Sequence, residues 1–167
     1  FIDYARSNPE AVSYGSSGTG TALHLAGEVF ASIAGVKLQH IPYKTAAQSM
    51  NDLLGGQVKA MFDSPNNSSP QVKSGKIKAL AIMGPDRLSV LPDVPTTAEL
   101  GMPTMRFTNW LGVYAPAGTP AEIVERLIRI LKPAMSDQDM KDYFERSGMP
   151  PTPLFGQDLA VASRIQR

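Results

Sequence analysis

The chain has no cysteine among its 167 residues, which excludes disulfides, thiolate metal ligands and a cysteine nucleophile. An absence of thiols fits an oxidising compartment. No apolar run approaches the roughly 18 residues that a membrane helix requires, so we expect no membrane-embedded segment. Basic and acidic residues nearly balance, at 16 and 15, and no long basic run occurs. Nucleic acid is therefore not an expected partner.

The N-terminus has neither an initiating methionine nor the pattern of a signal peptide. Residues 1–6 instead have the composition of a helix interior, and we expect the chain to be a fragment. Its apolar content of 43% and charged content of 19% are typical of a globular protein with a buried core.

The most informative segment is the run of glycines and hydroxyl residues at 14–21, which precedes an apolar-periodic run at 22–34. A short strand, a loop and a helix are predicted to meet there. The first N–H groups of a helix lack partners and carry partial positive charge. Glycines let an anion approach the backbone. The alternative is a purely structural one, a tight turn before a capped helix.

The rest of the first part predicts an α/β fold. Hydrophobic patterns indicate strands at 12–14, 38–43, 58–62 and 77–83, and they indicate helices at 22–34 and 46–54 and a short helix that ends at Gly75 after a polar stretch, 64–70. Such alternation favours a parallel sheet, whose ligands bind beyond the carboxyl ends of the strands. Three loops, 16–21, 43–46 and 63–67, are therefore expected to line one cleft edge.

Beyond Met83 the pattern changes to a proline-rich connection. Residues 96–99 have the sequence of a capping box before a short helix, and a strand at 107–114 carries Trp110, expected in packing or in stacking on an aromatic ligand. Thr119 and Pro120 predict a helix with a threonine cap. Its buried face is predicted to consist of Ile123, Leu127, Ile130 and Leu131. Further helices are predicted at 137–146 and from 157.

Six phrases in register resemble one family. They are Tyr-Gly-Ser-Ser-Gly-Thr-Gly-Thr at 14–21, Ile-Pro-Tyr-Lys at 41–44, Asp-Leu-Leu-Gly-Gly-Gln-Val at 52–58, Gly-Lys-Ile-Lys-Ala-Leu-Ala at 75–81, Leu-Pro-Asp-Val-Pro-Thr-Thr-Ala-Glu-Leu-Gly at 91–101 and Trp-Leu-Gly-Val-Tyr-Ala-Pro-Ala-Gly-Thr-Pro at 110–120. Together they resemble the Bug or TctC family, the periplasmic solute receptors of tripartite tricarboxylate transporters.

The resemblance implies a type II periplasmic-binding-protein fold of two α/β lobes around a cleft. Residues 1–108 would form the second lobe, and residues 109–167 an incomplete returning segment of the first. The ligand would be a small carboxylate: a dicarboxylate, a tricarboxylate, an acidic amino acid or an aromatic acid. Membrane permease subunits would be the partners. Thr45 departs from the family, which usually has glycine there, and this puts ligand size or orientation in doubt.

The expected ligand-binding residues lie in the three loops. They are Ser16, Ser17, Gly18, Thr19, Gly20, Thr21, Tyr43, Lys44, Thr45, Ala46 and Asp63. Lys44 either attracts the carboxylate or is solvated. Asp63 either caps the following turn, orients water or receives an amino group. His24 and His40 are expected to pack structurally, and no metal site or cofactor is predicted.

Two other classes compete with a receptor. The same fold serves as the effector-sensing domain of transcription regulators, which would predict a neighbouring DNA-binding segment. A small hydrolase or transferase would use Ser16 or Ser17 with His24 and Asp63. The Gly-x-Ser-x-Gly spacing is absent, however, and we expect no enzymatic activity.

Overall fold

The computed structural model describes residues 1–9, 11–107 and 112–148, in a chain that divides into the units Phe1–Asn109 and Trp110–Arg167. The first unit has the predicted α/β character. Its elements are α1 (Ile2–Ser7), β1 (Ser13–Ser16), α2 (Ala22–Ala34), β2 (Gln39–Pro42), α3 (Ala46–Leu54), β3 (Ala60–Met61) and α4 (Pro65–Lys73).

The three strands form a parallel sheet in the order β2-β1-β3. Gly15 in the central strand pairs with Ile41 on one side and with Met61 on the other. Connections through α2 and α3 cover the sheet, as parallel pairing requires. The carboxyl ends of all three strands therefore lie along one edge.

The predicted fourth strand, 77–83, is wrong for the described residues. Only Ile82 forms a bridge, with Thr96, and Leu80 in the middle of this run is 49% exposed. The Ile82 amide donates to the Pro95 carbonyl and the Thr97 amide to the Ile82 carbonyl. The end of the run, at Ile82, thus pairs with its own downstream segment rather than with β3.

Two helices differ from the expectation. The polar stretch 64–70 is itself helical, within α4, with Pro65 in its first turn and Pro70 inside it. The capping box at 96–99 forms both of its hydrogen bonds, Thr96 N–H to Glu99 at 2.7 Å and Glu99 N–H to the Thr96 hydroxyl at 3.2 Å. The segment nevertheless continues as turns rather than as an α-helix.

The core of the first unit joins distant segments. Buried residues from α1, the approach to β1, the end of α2 and the downstream segment pack together: Ala5, Val12, Ala34, Val36 and Met105. Apolar periodicity along the helices at 22–34 and 46–54 also predicts that Ile33 and Leu54 face the core; this is wrong, since they are 41% and 39% exposed. The chain beyond residue 82 is therefore part of the packing of this unit.

The second unit contains α5 (Ala121–Ser136) and α6 (Gln138–Ser147). Thr119 does not cap α5, because its hydroxyl donates to the Pro116 carbonyl and Pro120 occupies the cap position. The predicted buried face is exposed at three of its four positions, Ile123, Leu127 and Ile130. Across the part of the chain that the structure describes, no helix combines the length and the apolarity needed to cross a bilayer. The predictions for Trp110 and for a helix from 157 fall outside the described residues.

Candidate functional site

The three predicted loops lie side by side at the carboxyl edge of the sheet. Ser16 pairs with Pro42, and Gly15 pairs with Met61. Extending this parallel register by one residue beyond β1 places Ser17 level with Tyr43 and with Asp63. The loop after the central strand is therefore flanked by the other two, which is the position at which α/β sheets bind ligands.

The first loop ends in a well-defined helix start. Gly18 and Gly20 have φ values of 123° and 81°, which side-chain-bearing residues rarely adopt. The Thr21 hydroxyl donates to the Gly18 carbonyl at 2.7 Å and accepts from the His24 amide at 3.4 Å. No described residue accepts a hydrogen bond from the N–H groups of Ala22 and Leu23. Two donors thus remain available at this corner.

The Ser16 side chain holds this loop from inside. It is fully buried, its hydroxyl lies 2.7 Å from His40 Nε2, and it accepts from the Gly18 amide at 3.1 Å. Although Ser16 and His40 resemble a nucleophile and its base, full burial leaves a substrate no access to the hydroxyl. Of the predicted hydroxyls, Ser17 and Thr19 have no partner within the described chain. Ser17 is half-buried and Thr19 exposed.

A cluster of two histidines, a tyrosine and a glutamate lies beneath the loop. The rings of His24 and His40 are 4.1 Å apart, and that of Tyr14 lies 5.0 Å from His40. The Gly20 amide donates to His24 Nδ1 at 3.2 Å, and the Tyr14 hydroxyl donates to Glu28 at 2.7 Å. Sequence reasoning treated the two histidines separately, because only the parallel pairing of β1 with β2 brings them together.

Burial governs the electrostatics of this cluster. It lowers the pKa of His40, an effect that the neighbouring His24 strengthens and Glu28 opposes. Burial and the bond to Glu28 raise the pKa of the Tyr14 hydroxyl. His40 therefore favours its neutral form, in which one ring nitrogen donates and the other accepts.

The second corner begins α3. The Thr45 hydroxyl accepts from the Gln48 amide at 3.3 Å, and its φ of −143° is ordinary extended backbone. No described residue accepts from the amides of Ala46 and Ala47. The Tyr43 hydroxyl is used internally, donating to Asp52 at 2.7 Å, whereas Lys44 is exposed without a partner among the described side chains.

The third corner offers fewer donors. Pro65, the first residue of α4, has no N–H. Asp63 Oδ2 accepts from the Asn67 side chain at 2.8 Å, while Asp63 Oδ1 is buried without a hydrogen-bond partner in the described structure. Burial raises the pKa of Asp63, and the bonds from Asn67 and the Ser64 amide oppose that shift. Asp63 thus bonds to the first turn of α4 through the Asn67 side chain, while the helix start itself has no side-chain cap.

The hydrolase alternative is not supported by the positions of its residues. His24 is bonded to the Gly20 amide and Asp63 to Asn67, so neither orients the other. Within the described ranges, no three histidine, aspartate or glutamate side chains are placed to hold a metal ion. A groove in the second unit, lined by Pro133, Ala134, Asp137, Asp139, Met140 and Tyr143, contains none of the predicted site residues.

Sequence comparison finds one family over nearly all of the chain. A profile described as "Tripartite tricarboxylate transporter family receptor" (TctC) matches residues 1–165. A UPF0065 protein from the tcbD-tcbE intergenic region of Pseudomonas sp. (strain P51) is 37% identical over 146 residues, covering 87% of this chain and 44% of that protein. Protein BugT of Bordetella pertussis is 33% identical over 150 residues, covering 90% and 46%. The chain thus spans about half the length of these relatives.

Solved structures agree with this result. Rpa4515 of R. palustris, solved with adipate, is 32% identical and superposes with a TM-score of 0.91 over 99% of this chain and 55% of its own. MatC (Rpa3494) from Rhodopseudomonas palustris, solved with bound malate, is 28% identical with a TM-score of 0.86 over 99% and 57%. Both ligands are carboxylates.

Proposed function

The chain belongs to the TctC family of tripartite tricarboxylate transporter receptors, and we propose that its first unit binds a small carboxylate at the carboxyl edge of the β2-β1-β3 sheet. The residues offered to the ligand are the two helix starts that follow β1 and β2. The protein that carries this chain would be a periplasmic receptor that binds without turnover and delivers its ligand to membrane permease subunits.

The observation that carries the proposal is the adjacency of two helix starts with unused amides. Ala22 and Leu23 open α2, Ala46 and Ala47 open α3, and their strands are neighbours in the sheet. Each start adds the partial positive charge of its helix. Neutral donors of this kind hold a carboxylate without the cost of burying an unpaired cation.

The loops contribute in different ways. Gly18 and Gly20 shape the first loop, Ser17 and Thr19 offer hydroxyls, and Ser16 acts from beneath. Thr21 and Thr45 cap the two helices, so their hydroxyls are already used. Tyr43 supports the site from within, since its amide donates to the Ser16 carbonyl and its hydroxyl to Asp52. Lys44 supplies an exposed positive charge. We assign Asp63 to the edge of the site, where it accepts from Asn67 and supports the start of α4 rather than contacting the anion.

The relatives with printed ligands favour a dicarboxylate. Rpa4515 was solved with adipate and MatC with malate, and both share the fold of this chain over nearly its whole length. We extend the carboxylate class, and not either compound, to this protein. We likewise propose that residues 1–108 form the second lobe and that residues 109–167 return to the first.

Proline substitution tests the amides one at a time. Ala22→Pro and Ala46→Pro each remove one N–H at the first helical position, where proline is tolerated. Thr21 and Thr45, which precede these positions, have the extended backbone that a following proline requires. Gln138→Pro at the first position of α6 is the matched control, because Asp137 has a comparable conformation.

Calorimetry of the full-length protein against succinate, malate, adipate, citrate, aspartate, glutamate and benzoate gives the readout. Each alanine-to-proline variant is expected to weaken carboxylate binding by about 10- to 100-fold, since a hydrogen bond to a charged group contributes about 1.5–3 kcal/mol. Gln138→Pro should leave binding unchanged. The proposal would be refuted if none of these carboxylates bound, or if Ala22→Pro and Ala46→Pro both kept full affinity.

A further inference from the structure

We propose that His24 and His40 are positioning residues for the 16–21 loop, and that the bond made by His24 holds only while its Nδ1 is unprotonated, so that the loop loosens on acidification. The inference rests on the proposed function only where it concerns ligand affinity. Its structural half concerns the order of the loop itself, and it is tested without any ligand.

Both ends of the loop are tied to this histidine pair. At the start, Ser16 Oγ lies 2.7 Å from His40 Nε2 and also accepts from the Gly18 amide. Near the end, the Gly20 amide donates to His24 Nδ1. Among the described residues, these are the two hydrogen bonds that side chains of other elements make with the loop.

The bond from Gly20 fixes the required protonation state. An amide donor needs an unprotonated Nδ1, so His24 must be the neutral tautomer with its proton on Nε2. That Nε2 faces Glu28 Oε1 at 3.8 Å. Protonation of Nδ1 would turn the acceptor into a second donor facing the Gly20 N–H, and the bond would be lost.

The two histidine rings lie against each other and beside a carboxylate. Because the two rings are 4.1 Å apart, two imidazolium ions would repel each other. Besides the histidines, the titratable groups facing the cluster are Glu28 from α2 and Tyr14 from β1, and Tyr14 donates to that glutamate. Phe62, beyond β3, adds an apolar face against Tyr14. His24 carries its acceptor nitrogen on the loop side and turns its other ring nitrogen toward Glu28.

Two substitutions of His24 distinguish losing the hydrogen-bond acceptor from protonating it. His24→Asn places an amide oxygen near the position of Nδ1, which retains an acceptor for Gly20 but cannot be protonated in this range. His24→Leu removes the acceptor at every pH. His40→Gln similarly keeps a hydrogen-bonding group for Ser16 without a titrating ring. Ser32→Ala, an exposed change on α2, is the control.

The first measurement is the order of amides 17–20 by ¹⁵N relaxation in the ligand-free full-length protein, between pH 7.5 and pH 5. The wild type is expected to lose order on acidification as the histidine ring signals titrate. His24→Asn should remain ordered, and His24→Leu should be disordered throughout. Equal loop order at both pH values, in a wild type whose imidazoles do titrate, would overturn the proposal.

The second measurement is the affinity for malate and adipate over the same range. The wild type should lose about tenfold more affinity than the His24→Asn/His40→Gln double variant, the effect of losing about one hydrogen bond. Protonation of the ligand is common to both proteins and cancels in this comparison. Parallel pH profiles in the two proteins would overturn the proposal. Absence of binding by any carboxylate would instead refute the proposed function while loop order still decides this inference.

Discussion

At the scale of single residues, Gly27 shows why α2 packs as it does. A Cβ built at this position would lie 2.3 Å from the Tyr14 ring, so only glycine lets the ring lie against the helix. Tyr14 is fully buried and donates to Glu28, one residue further along α2. The glycine and the tyrosine together therefore fix the distance between α2 and β1, on which the first loop depends.

Gly27→Ala is expected to destabilise the protein by about 1–3 kcal/mol, because the new methyl group must displace the fully buried Tyr14 ring. The higher helix propensity of alanine offsets only part of this cost. Urea denaturation measures the change, with Ser32→Ala on the same helix as the control. An unchanged or higher midpoint for Gly27→Ala would contradict the packing described.

Asp63 is a residue whose position costs stability. One of its oxygens is buried without a hydrogen-bond partner, and burial raises its pKa from the ordinary 3.8. The folded protein thus holds the proton of this group more tightly than the unfolded chain does. It follows that Asp63 makes stability fall as pH rises from about 3.8 through the folded pKa. Retention of such a group at a sheet edge suits a site residue.

Asp63→Asn is expected to raise the denaturation midpoint at pH 7, because the amide carries no charge to desolvate and its oxygen can still accept from Asn67. The gain in midpoint should shrink as pH falls toward 4, because the wild-type carboxyl is then protonated and carries no charge either. Urea denaturation at pH 4, 5.5 and 7 gives the comparison, and Asp86→Asn at an exposed position is the control. A constant difference at all three pH values would contradict the stated cause.

At the scale of elements, the starts of α2 and α3 repeat one design. Each helix follows a strand of the sheet and begins after a threonine whose hydroxyl accepts from an amide three residues on. The threonine hydroxyl leaves the two earlier amides free. The extended φ of Thr45 is one that any residue adopts, so the backbone at this position does not require glycine.

Thr45→Ala is expected to cost about 1 kcal/mol of stability, whereas Thr45→Gly should cost only a few tenths, as found for helix N-caps in general. Denaturation of the two variants measures the difference. Thr119→Ala is the matched control, since that hydroxyl bonds to Pro116 in a turn and caps no helix. Equal losses in Thr45→Ala and Thr119→Ala would argue against a capping role for Thr45.

Run 77–83 illustrates the limit of pattern at this scale. A short apolar run is compatible with a covered strand, but it specifies no partner. Here Ile82 is hydrogen-bonded to residues 95 and 97, a pairing set by the downstream turn. Conversely, the polar composition of 64–70 concealed α4, whose helix is maintained despite Pro70.

At the scale of the whole molecule, the amphipathic helix α5 presents apolar residues to solvent. Ile123, Leu127 and Ile130 recur at helical spacing and are 46%, 43% and 59% exposed. Exposed apolar surface of this kind marks an interaction face or an aggregation liability. The apolar periodicity of α5 predicts a buried face, but none of the 16 residues of this helix is buried.

The 167-residue chain is therefore expected to self-associate at micromolar to millimolar concentration. Light scattering should give a mass above the 17.9 kDa of one chain, and Leu127→Lys combined with Ile130→Lys should shift it toward that value. Arg129→Lys, on the same helix and without a change in charge, is the control. A monomer at high concentration in the unaltered chain would contradict this expectation.

The sequence by itself determined the local features of this protein. Glycine and threonine spacing specified the two helix starts after β1 and β2, and alternating apolar segments specified a parallel α/β unit, because caps and periodicity are properties of short segments. The resemblance of six phrases identified the TctC family.

Only the tertiary structure decided which groups meet. Parallel pairing of β1 with β2 brought His40 to Ser16 and to His24. It also buried Ser16, an expected ligand-binding residue, beneath the loop. Within the second unit, the apolar residues Ile123, Leu127 and Ile130 of α5 are exposed, although their spacing predicts burial. The physical reason is that burial and hydrogen-bond partners between distant segments depend on the register and packing of whole elements, which no short segment specifies.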